Sequence, residues 1–130
     1  MSFYTDCMDD IYTKHFPKPQ QVERIVQAKQ FIDAHACDNI SLKDMAASAC
    51  LSVFHFTRLF KRCYGVTPHQ YFSSVRINRA KQLLAAGVTV TNTGFSTGYT
   101  SITSFTGLFK KITGTTPLAY RQKKQSSRAS

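Results

Sequence analysis

The chain has 130 residues, of which 42% are hydrophobic, and it carries a net charge of +10. This length fits one domain or two very small ones that share a core. No apolar stretch approaches the roughly 18 residues that a membrane-spanning helix needs. Residues 1–10 contain three aspartates and no basic segment of the kind that begins a secretion signal. We therefore expect a globular, cytoplasmic protein without a membrane partner.

The cysteines lie at four separated positions, Cys7, Cys37, Cys50 and Cys63. They form no C-x2-C pair and have no histidine at zinc-finger distance, so neither a metal site nor another cofactor is expected. In a reducing cytoplasm they are predicted to be free thiols. Because Cys50 and Cys63 lie among apolar residues, we interpret both as small core side chains.

The charges are distributed unevenly along the chain. All seven acidic residues precede residue 45, whereas residues 45–130 carry twelve Lys or Arg and no Asp or Glu. A basic surface can bind nucleic acid, an anionic membrane or an acidic protein, and it can also serve only solubility. Solubility alone would not require the absence of every carboxylate, so the pattern favours a polyanionic partner.

An internal repeat organises the second half of the sequence. The stretch Phe56–Tyr71 recurs 49 residues later as Phe105–Tyr120, with most of its sixteen positions unchanged. Upstream of both stretches the match continues at an offset of 48 residues, so one residue is extra in the second copy. We interpret Thr100 as that extra residue, placed in a turn.

Each copy has the pattern of two short helices joined by a turn. In the first copy, Ser41 and Asp44 have the spacing of a capping box, Ser52 is placed to cap the next helix, and Gly65 to end it. The expected apolar stripes are Leu42, Met45, Ala46 and Ala49, followed by Phe56, Leu59, Phe60 and Cys63. A turn of three to four residues between such helices is typical of a helix-turn-helix motif.

A longer helix is predicted between the copies, from Pro68 to Ala86, with Gly87 as its cap. Its expected inner residues are Tyr71, Phe72, Val75, Ala80, Leu83 and Leu84. Such a helix is about 28 Å long, and successive major grooves on one face of DNA lie about 34 Å apart. One chain is therefore expected to reach two adjacent grooves as a monomer.

The remaining segments complete the predicted organisation. A helix is expected from Gln20 to His35, with Val22, Ile25, Val26 and Ile32 facing inward, and a short amphipathic helix is compatible with Tyr4, Met8, Ile11 and Tyr12. The predicted divisions are an N-terminal extension or linker (1–19), a first helix-turn-helix subdomain with the connector (20–86), a second subdomain (87–121) and a basic flexible tail (122–130).

The helix between Ser52 and Gly65, which we call the first reading helix, has an outward face that suits base recognition. Phe54, Thr57, Arg58 and Lys61 lie opposite its apolar stripe. The fork of Arg58 can donate twice to guanine, an interaction that discriminates between bases by about 1–3 kcal/mol. Phe54 is expected to touch a thymine methyl group or a base edge; the alternative is that it packs on a neighbouring helix.

The matching helix of the second copy, which we call the second reading helix, is expected to contribute less to base recognition than the first. Its candidate base contacts are Ile102, Thr103 and Thr106, but Gly107 stands where the first copy has Arg58. A glycine inside a helix costs about 1 kcal/mol, and the preceding segment, residues 90–97, is poor in helix-forming residues. We therefore predict that the second unit is less stable and less selective than the first.

Other polar residues are assigned to the DNA backbone, where contacts position a protein without reading sequence. These phosphate candidates are Ser52, His55, Lys61, Arg62, Lys110, Lys111 and Arg121. No catalytic residue is predicted, because the four histidines have no Ser, Cys or carboxylate partner at motif spacing and no acidic residue follows Asp44.

The segments Ser41–Leu84 and Gly98–Arg121 together resemble the DNA-binding module of the AraC/XylS family of transcription regulators. The resemblance rests on S-L-x-x-x-A, F-x-R-x-F-K-x-x-x-G-x-T-P-x-x-Y and R-x-x-x-A-x-x-L-L, followed by G-Y-x-S and a second F-K-K-x-x-G-x-T-P-x-x-Y-R. It implies an all-α fold of seven helices, with two helix-turn-helix subdomains joined by a long connector helix. It also implies binding to double-stranded promoter DNA and, for most members, activation through RNA polymerase. The family's base-contacting positions fall here on Phe54, Thr57 and Arg58 and on Ile102, Thr103 and Gly107.

The sequence departs from the family pattern at Thr93-Gly94, where Ile-Ala is usual, and at Gly107, where Arg is common. Most relatives carry a separate effector-binding or dimerisation domain. The Met1 start favours a stand-alone member over the C-terminal piece of a larger regulator, and no small-molecule effector is expected to bind this chain. Two alternative functions are a weakly selective architectural DNA-binding protein and alkyl-transfer DNA repair, which needs a cysteine cluster that this sequence lacks.

Overall fold

The computed structural model describes residues 18–129, with side chains as far as Ser127, and every element in that range is a helix. The helices are α1 (Pro19–His35), α2 (Leu42–Ser48), α3 (Val53–Tyr64), α4 (Pro68–Ala85), α5 (Val90–Ser96), α6 (Ile102–Thr113) and α7 (Pro117–Ala129). The predicted seven-helix, all-α fold is confirmed. The short helix suggested for Tyr4, Met8, Ile11 and Tyr12 lies outside the described residues. None of these seven helices is long and apolar enough to cross a membrane.

The chain forms two compact units, and the described part of unit 1 comprises residues 18–34 and 40–71. Unit 2 comprises residues 35–39 and 72–129 in the same range. The boundary therefore lies inside α4, after Tyr71, and not at residue 86 as the sequence suggested. The difference arises because the first turn of α4 packs on the aromatic rings of unit 1, where Tyr71 and Phe60 have their centroids 5.7 Å apart. The rest of the helix contributes to the core of unit 2.

The core of unit 1 is largely the predicted one. Its buried residues are Ile25, Ala28, Ile32, Met45, Ala46, Ala49, Phe56, Leu59 and Phe60. Two expectations were wrong: Val26 is 40% exposed, and Cys50 is exposed on the surface. Three other expected members are half-buried: Val22, Leu42 and Cys63. Val26 follows the buried Ile25 by one residue, which turns its side chain by about 100° around the helix. Cys50 has left the helical stripe, because it adopts the left-handed conformation with φ 57°.

The core of unit 2 combines Ile77, Ala80 and Leu84 of α4 with Phe105 and Phe109 of α6. Four partly buried residues pack against this cluster: Val90, Tyr99, Leu108 and Tyr120. The predicted inner face of α4 omitted Ile77, which is buried, and included Val75 and Leu83, which are only half-buried.

The helix ends follow the capping residues read from the sequence. The Ser41 Oγ accepts a hydrogen bond from the Asp44 amide (3.2 Å), and the Asp44 Oδ2 accepts one from the Ser41 amide (2.8 Å), so the predicted capping box is confirmed. Ser52 caps α3, and Gly65 ends it with φ 77°. Such caps satisfy backbone groups that the helix itself leaves unpaired.

The repeat is longer than the matching stretches suggested. The helices α1, α4 and α7 begin at Pro19, Pro68 and Pro117, at successive intervals of 49 residues. Proline suits the first helical position because its missing N–H would be unpaired there in any case. In this arrangement α4 ends the first repeat and also begins the second.

The C-terminal segment differs from the expected flexible tail, because α7 continues to Ala129. The Gln125 Nε2 donates a hydrogen bond to the Ala85 carbonyl (3.2 Å). Arg121 donates to the carbonyls of Gly87 (3.0 Å) and Val88 (3.1 Å). These contacts join α7 to the end of α4, and no local sequence pattern reveals them, since the paired residues are more than 30 positions apart.

Candidate nucleic-acid interface

The exposed face of α3 carries an aromatic ring and a guanidinium group together. The Phe54 side chain is 71% exposed, although it is among the largest apolar residues of the chain. The Arg58 guanidinium carbon lies 5.5 Å from the centroid of the Phe54 ring, within the range of a cation–π interaction. The alternative in which Phe54 packs on a neighbouring helix is therefore wrong. Two of the predicted base-reading residues form one exposed pair.

Thr57, the third candidate on α3, is half-buried, and its hydroxyl donates a hydrogen bond to the Val53 carbonyl (2.8 Å). The hydroxyl proton is therefore already used within the helix. In this state the hydroxyl oxygen can only accept, so it could bind an amino group of adenine or cytosine. The Thr57 methyl group could instead make an apolar contact with a base.

The predicted phosphate contacts of the first copy lie at the two ends of α3. Ser52 and His55 are exposed at its N-terminus, where the Ser52 Oγ accepts a hydrogen bond from the His55 amide (3.2 Å). Lys61 is exposed and Arg62 half-buried in its last turn. Both ends of the helix thus present groups that suit a sugar–phosphate backbone.

On α6 the base-reading candidates have very different environments. Thr103 is exposed, whereas Ile102 and Thr106 are half-buried. Ile102 packs over Gly94 of α5, because a Cβ added at Gly94 would lie 2.9 Å from the Ile102 Cδ1. Gly107 is exposed, and nothing lies within 4 Å of a Cβ placed there. Of these residues, only Thr103 offers a side chain that is freely exposed.

The supporting helix of the second copy has a polar core. Thr93 is fully buried, and its hydroxyl has no hydrogen-bond partner among the described residues. The matching position in the first copy is the buried Met45. Thr97 is also fully buried, but its hydroxyl donates to the carbonyls of Thr93 (2.8 Å) and Gly94 (3.1 Å). An unpaired buried hydroxyl costs roughly 1–3 kcal/mol, which supports the prediction that unit 2 is the less stable.

Three predicted phosphate contacts fall in unit 2, and they are not alike. Lys110 and Lys111 are exposed in the last turn of α6. Arg121 is half-buried, and its guanidinium is engaged with the carbonyls of Gly87 and Val88. Lys110 and Lys111 are therefore the better placed to meet a phosphate.

A residue that the sequence analysis did not assign, Arg76, forms a cluster in unit 2. Its Nε donates to the Ala36 carbonyl (2.5 Å) and its Nη2 to the Asp38 carbonyl (2.9 Å). The guanidinium carbon lies 4.1 Å from the centroid of the Phe72 ring and 5.2 Å from that of Tyr99. Burial lowers the pKa of the Arg76 guanidinium and raises the pKa of the Tyr99 hydroxyl. The only sequence signal for this role was the arginine of R-x-x-x-A-x-x-L-L.

The turns of the two motifs have related conformations. Residues 49–52 separate α2 from α3, and residues 97–101 separate α5 from α6, so the second turn is one residue longer, as predicted. Cys50 has φ 57° in the first turn, and Gly98, its counterpart in the repeat, has φ 97°. A left-handed residue after the first helix thus occurs in both copies, once as glycine and once as cysteine.

The described residues form two pairs of helices, and a short capped turn joins the helices of each pair. The second helix of each pair has an outward polar or basic face. This arrangement defines a helix-turn-helix protein of the DNA-binding class. A family model described as a helix-turn-helix domain matches residues 45–123. The chain belongs to this family, in its AraC-type branch.

Curated relatives agree with this assignment. The chain is 32% identical over 81 residues to an uncharacterised helix-turn-helix transcriptional regulator, YbfI of Bacillus subtilis, covering 62% of this chain and 30% of that protein. It is 33% identical over 82 residues to the lactose operon transcription activator of Staphylococcus xylosus, covering 57% and 29%. The match therefore spans less than a third of the length of either relative.

Solved structures share the fold. An AraC-type DNA-binding-domain regulator from Chromobacterium violaceum superposes with a TM-score of 0.72 at 25% identity, covering 82% of this chain and 96% of that one. The DNA-binding domain of the global transcriptional factor AdpA, crystallised with a target DNA, has a TM-score of 0.71 at 24% identity, covering 86% and 98%. The second likeness, at this identity, concerns the fold alone.

Proposed function

We propose that this chain is a sequence-specific, double-stranded DNA-binding transcription regulator in which unit 1 selects the site and unit 2 holds the adjacent groove. The observation that carries the proposal is the contrast between the exposed Phe54–Arg58 pair on α3 and the bare Gly107 at the matching place on α6. The recognition helices of both units would enter successive major grooves of the same duplex.

The chemistry of α3 supports base reading. Arg58 has a planar donor fork that matches the O6 and N7 atoms of guanine, and Phe54 offers an apolar surface suited to a thymine methyl group. The ring and the guanidinium lie against each other, which limits the positions that Arg58 can adopt before it meets DNA. Such preorganisation reduces the entropy that binding must overcome.

The chemistry of α6 supports backbone binding. Lys110 and Lys111 place two positive charges in its last turn, and neither charge depends on the identity of a base. Thr103 is the residue of α6 most open to a base edge. Unit 2 therefore contributes affinity and position, and only weak selectivity.

The regulatory consequence follows from the family. A relative, the lactose operon transcription activator, is named as an activator, and activation by contact with RNA polymerase at a promoter is our proposal for this chain as well. We propose that it binds DNA as a monomer, since one chain holds both units, and that it associates with the nucleoid. No small-molecule effector is assigned to this chain.

The test compares selected and unrelated DNA. A preferred duplex would be selected from a random pool, and the dissociation constants of the preferred and a scrambled duplex would be measured at one salt concentration. A regulator is expected to prefer its site by about a thousandfold or more. A ratio near one would contradict the proposal and favour the alternative, a weakly selective architectural DNA-binding protein.

A further inference from the structure

We propose that Arg76 is the positioning residue of the second reading helix: it fastens the turn before α6 to the chain segment 35–39. This inference rests on the proposed function, because it concerns how unit 2 is prepared to hold DNA. Every group in the argument belongs to unit 2, which contains both residues 35–39 and residues 72–129.

The first half of the fastening is a pair of hydrogen bonds to backbone acceptors. Arg76 donates through Nε to the Ala36 carbonyl and through Nη2 to the Asp38 carbonyl. Its guanidinium plane also lies over the Phe72 ring at 4.1 Å. A planar group with several fixed donors can make both hydrogen bonds and stack at once, whereas the compact ammonium of a lysine cannot.

The second contribution is the close packing of the turn, residues 97–101, against Arg76 and the backbone of residue 37. Gly98 has φ 97°, and a Cβ at this residue would lie 2.7 Å from the Arg76 Nη2 and 2.9 Å from the Cys37 carbonyl oxygen. Only glycine leaves room for the guanidinium and the backbone of residue 37 to meet the turn so closely. The side of Gly98 on which a Cβ would stand is therefore packed against both the Arg76 guanidinium and segment 35–39.

From the turn, ring contacts lead to the reading helix. The Arg76 guanidinium carbon is 5.2 Å from the Tyr99 ring centroid. The Tyr99 ring centroid is in turn 5.3 Å from that of Phe105, a fully buried residue of α6. A displacement of Arg76 would thus release the turn and the ring that packs against the first half of α6, without removing any residue that faces DNA.

A comparison with the second repeat shows which contacts of Arg76 have a counterpart there. Gln125 stands 49 residues after Arg76, and it donates to Ala85, which stands 49 residues after Ala36. The hydrogen bond to the end of the preceding long helix therefore occurs in both repeats. Among the described residues, the contact with a turn that precedes a reading helix is made by Arg76, which lies against Gly98.

The experiment uses the full chain and three variants: Arg76→Met, Arg76→Lys and, as a charge-matched control on the exposed side of α4, Arg79→Met. Arg79 donates to Gln82 on the same helix (3.1 Å). Each protein is titrated with a duplex of about two helical turns and with one truncated to the half bound by unit 1. The measured quantity is the gain in affinity from the short to the long duplex, together with the salt dependence of binding.

Arg76→Met is expected to reduce that gain at least about tenfold while changing affinity for the short duplex less than twofold. The slope of log K against log salt should fall by about two, because the Lys110 and Lys111 contacts are lost together; a direct phosphate contact by Arg76 would lower it by about one. Arg79→Met should keep the gain within twofold. An unchanged gain in Arg76→Met, or an equal loss on both duplexes, would overturn the proposal.

Two readouts keep the inference separate from folding and from the proposed function. Arg76→Lys retains the charge, and it should show an intermediate loss of the gain; a gain equal to that of the unsubstituted chain would overturn the proposal. In the free protein, hydrogen exchange of the amides in residues 99–106 should accelerate at least tenfold in Arg76→Met, with residues 53–64 unchanged. If the unsubstituted chain shows no preference for its site, the proposed function fails, whereas unaltered exchange in Arg76→Met defeats the positioning role alone.

Discussion

The two reading helices have the same scaffold and different faces. Both α3 and α6 have twelve residues, start after a serine cap and end at a glycine with positive φ. Their inner phenylalanine pairs are arranged alike, with ring centroids 5.6 Å apart for Phe56 and Phe60 and 5.8 Å apart for Phe105 and Phe109. Outside these inner positions the helices diverge, since Phe54 and Arg58 face outward on α3 and Thr103 and Gly107 take their places on α6.

In a helix of this kind, folding and recognition depend on different positions. The inner residues determine that a helix forms and where it packs, and the outer ones determine what it recognises. A repeat can therefore change its outward face without losing its fold. Here the outward face of α6, with glycine at the position of Arg58, accompanies a more polar core in α5, where Thr93 and Gly94 stand at the positions of Met45 and Ala46.

The largest expected effect concerns the turn of unit 2. Gly98→Ala should destabilise the protein by about 3 kcal/mol, because the added Cβ meets the Cys37 carbonyl and the residue has positive φ. The free energy of unfolding from urea denaturation is the measurement. Gly107→Ala is the control, since its Cβ would enter open space and should stabilise α6 by about 1 kcal/mol. Equal stabilities of the two variants would contradict the account of the turn.

The next effect concerns base reading by unit 1. Arg58→Ala should remove discrimination at one base pair, worth about 1–3 kcal/mol. Binding of the variant to a set of duplexes with single base changes, at constant salt, is the measurement. If the variant still prefers the same base at every position of the site, Arg58 is not the reader.

A smaller effect should sharpen the difference in core quality between the units. Thr93→Val removes a buried hydroxyl that has no partner among the described residues, so it should stabilise unit 2 by about 1 kcal/mol. Thr97→Val is the matched control, since its hydroxyl donates to two carbonyls, and it should not stabilise the protein. The midpoint temperatures of thermal unfolding of both variants test this expectation. A lower midpoint for Thr93→Val would show that the Thr93 hydroxyl has a hydrogen-bond partner in the folded protein.

The smallest effect concerns the phosphate contacts of unit 2. Lys110→Ala should weaken binding to all sequences alike and reduce the salt slope by about one. Titrations of the preferred and scrambled duplexes at several salt concentrations measure both quantities. A change in base preference would mean that α6 reads sequence after all, and the contrast between the two helices would need revision.

Much of the fold follows from local sequence signals. The caps at Ser41 and Ser52, the stop at Gly65 and the extra residue in the second turn are all short-range features, and each was predicted correctly. The outward position of Phe54 follows from helical periodicity for the same reason. Such features depend on residues within one or two helical turns of each other, which a sequence displays directly.

The features that escaped prediction depend on residues far apart in the chain. The Arg76 cluster joins residues 36–38, 76 and 98–99, and the continuation of α7 depends on contacts with the end of α4. Cys50 was misassigned because its apolar neighbours suggested a core position, whereas the turn needed a left-handed residue there. Tertiary context, which overrides local preference in each case, is absent from a linear pattern.

The path of the backbone limits how the protein can be divided into fragments. Because residues 35–39 belong to unit 2 while the chain on either side of them belongs to unit 1, no single cut yields both units intact. A fragment that starts at residue 72 would keep Arg76 but lack the carbonyls of Ala36 and Asp38 that its guanidinium binds. Fragments and chimaeras that exchange unit 2 therefore need to carry residues 35–39 with them, or supply a substitute for this segment.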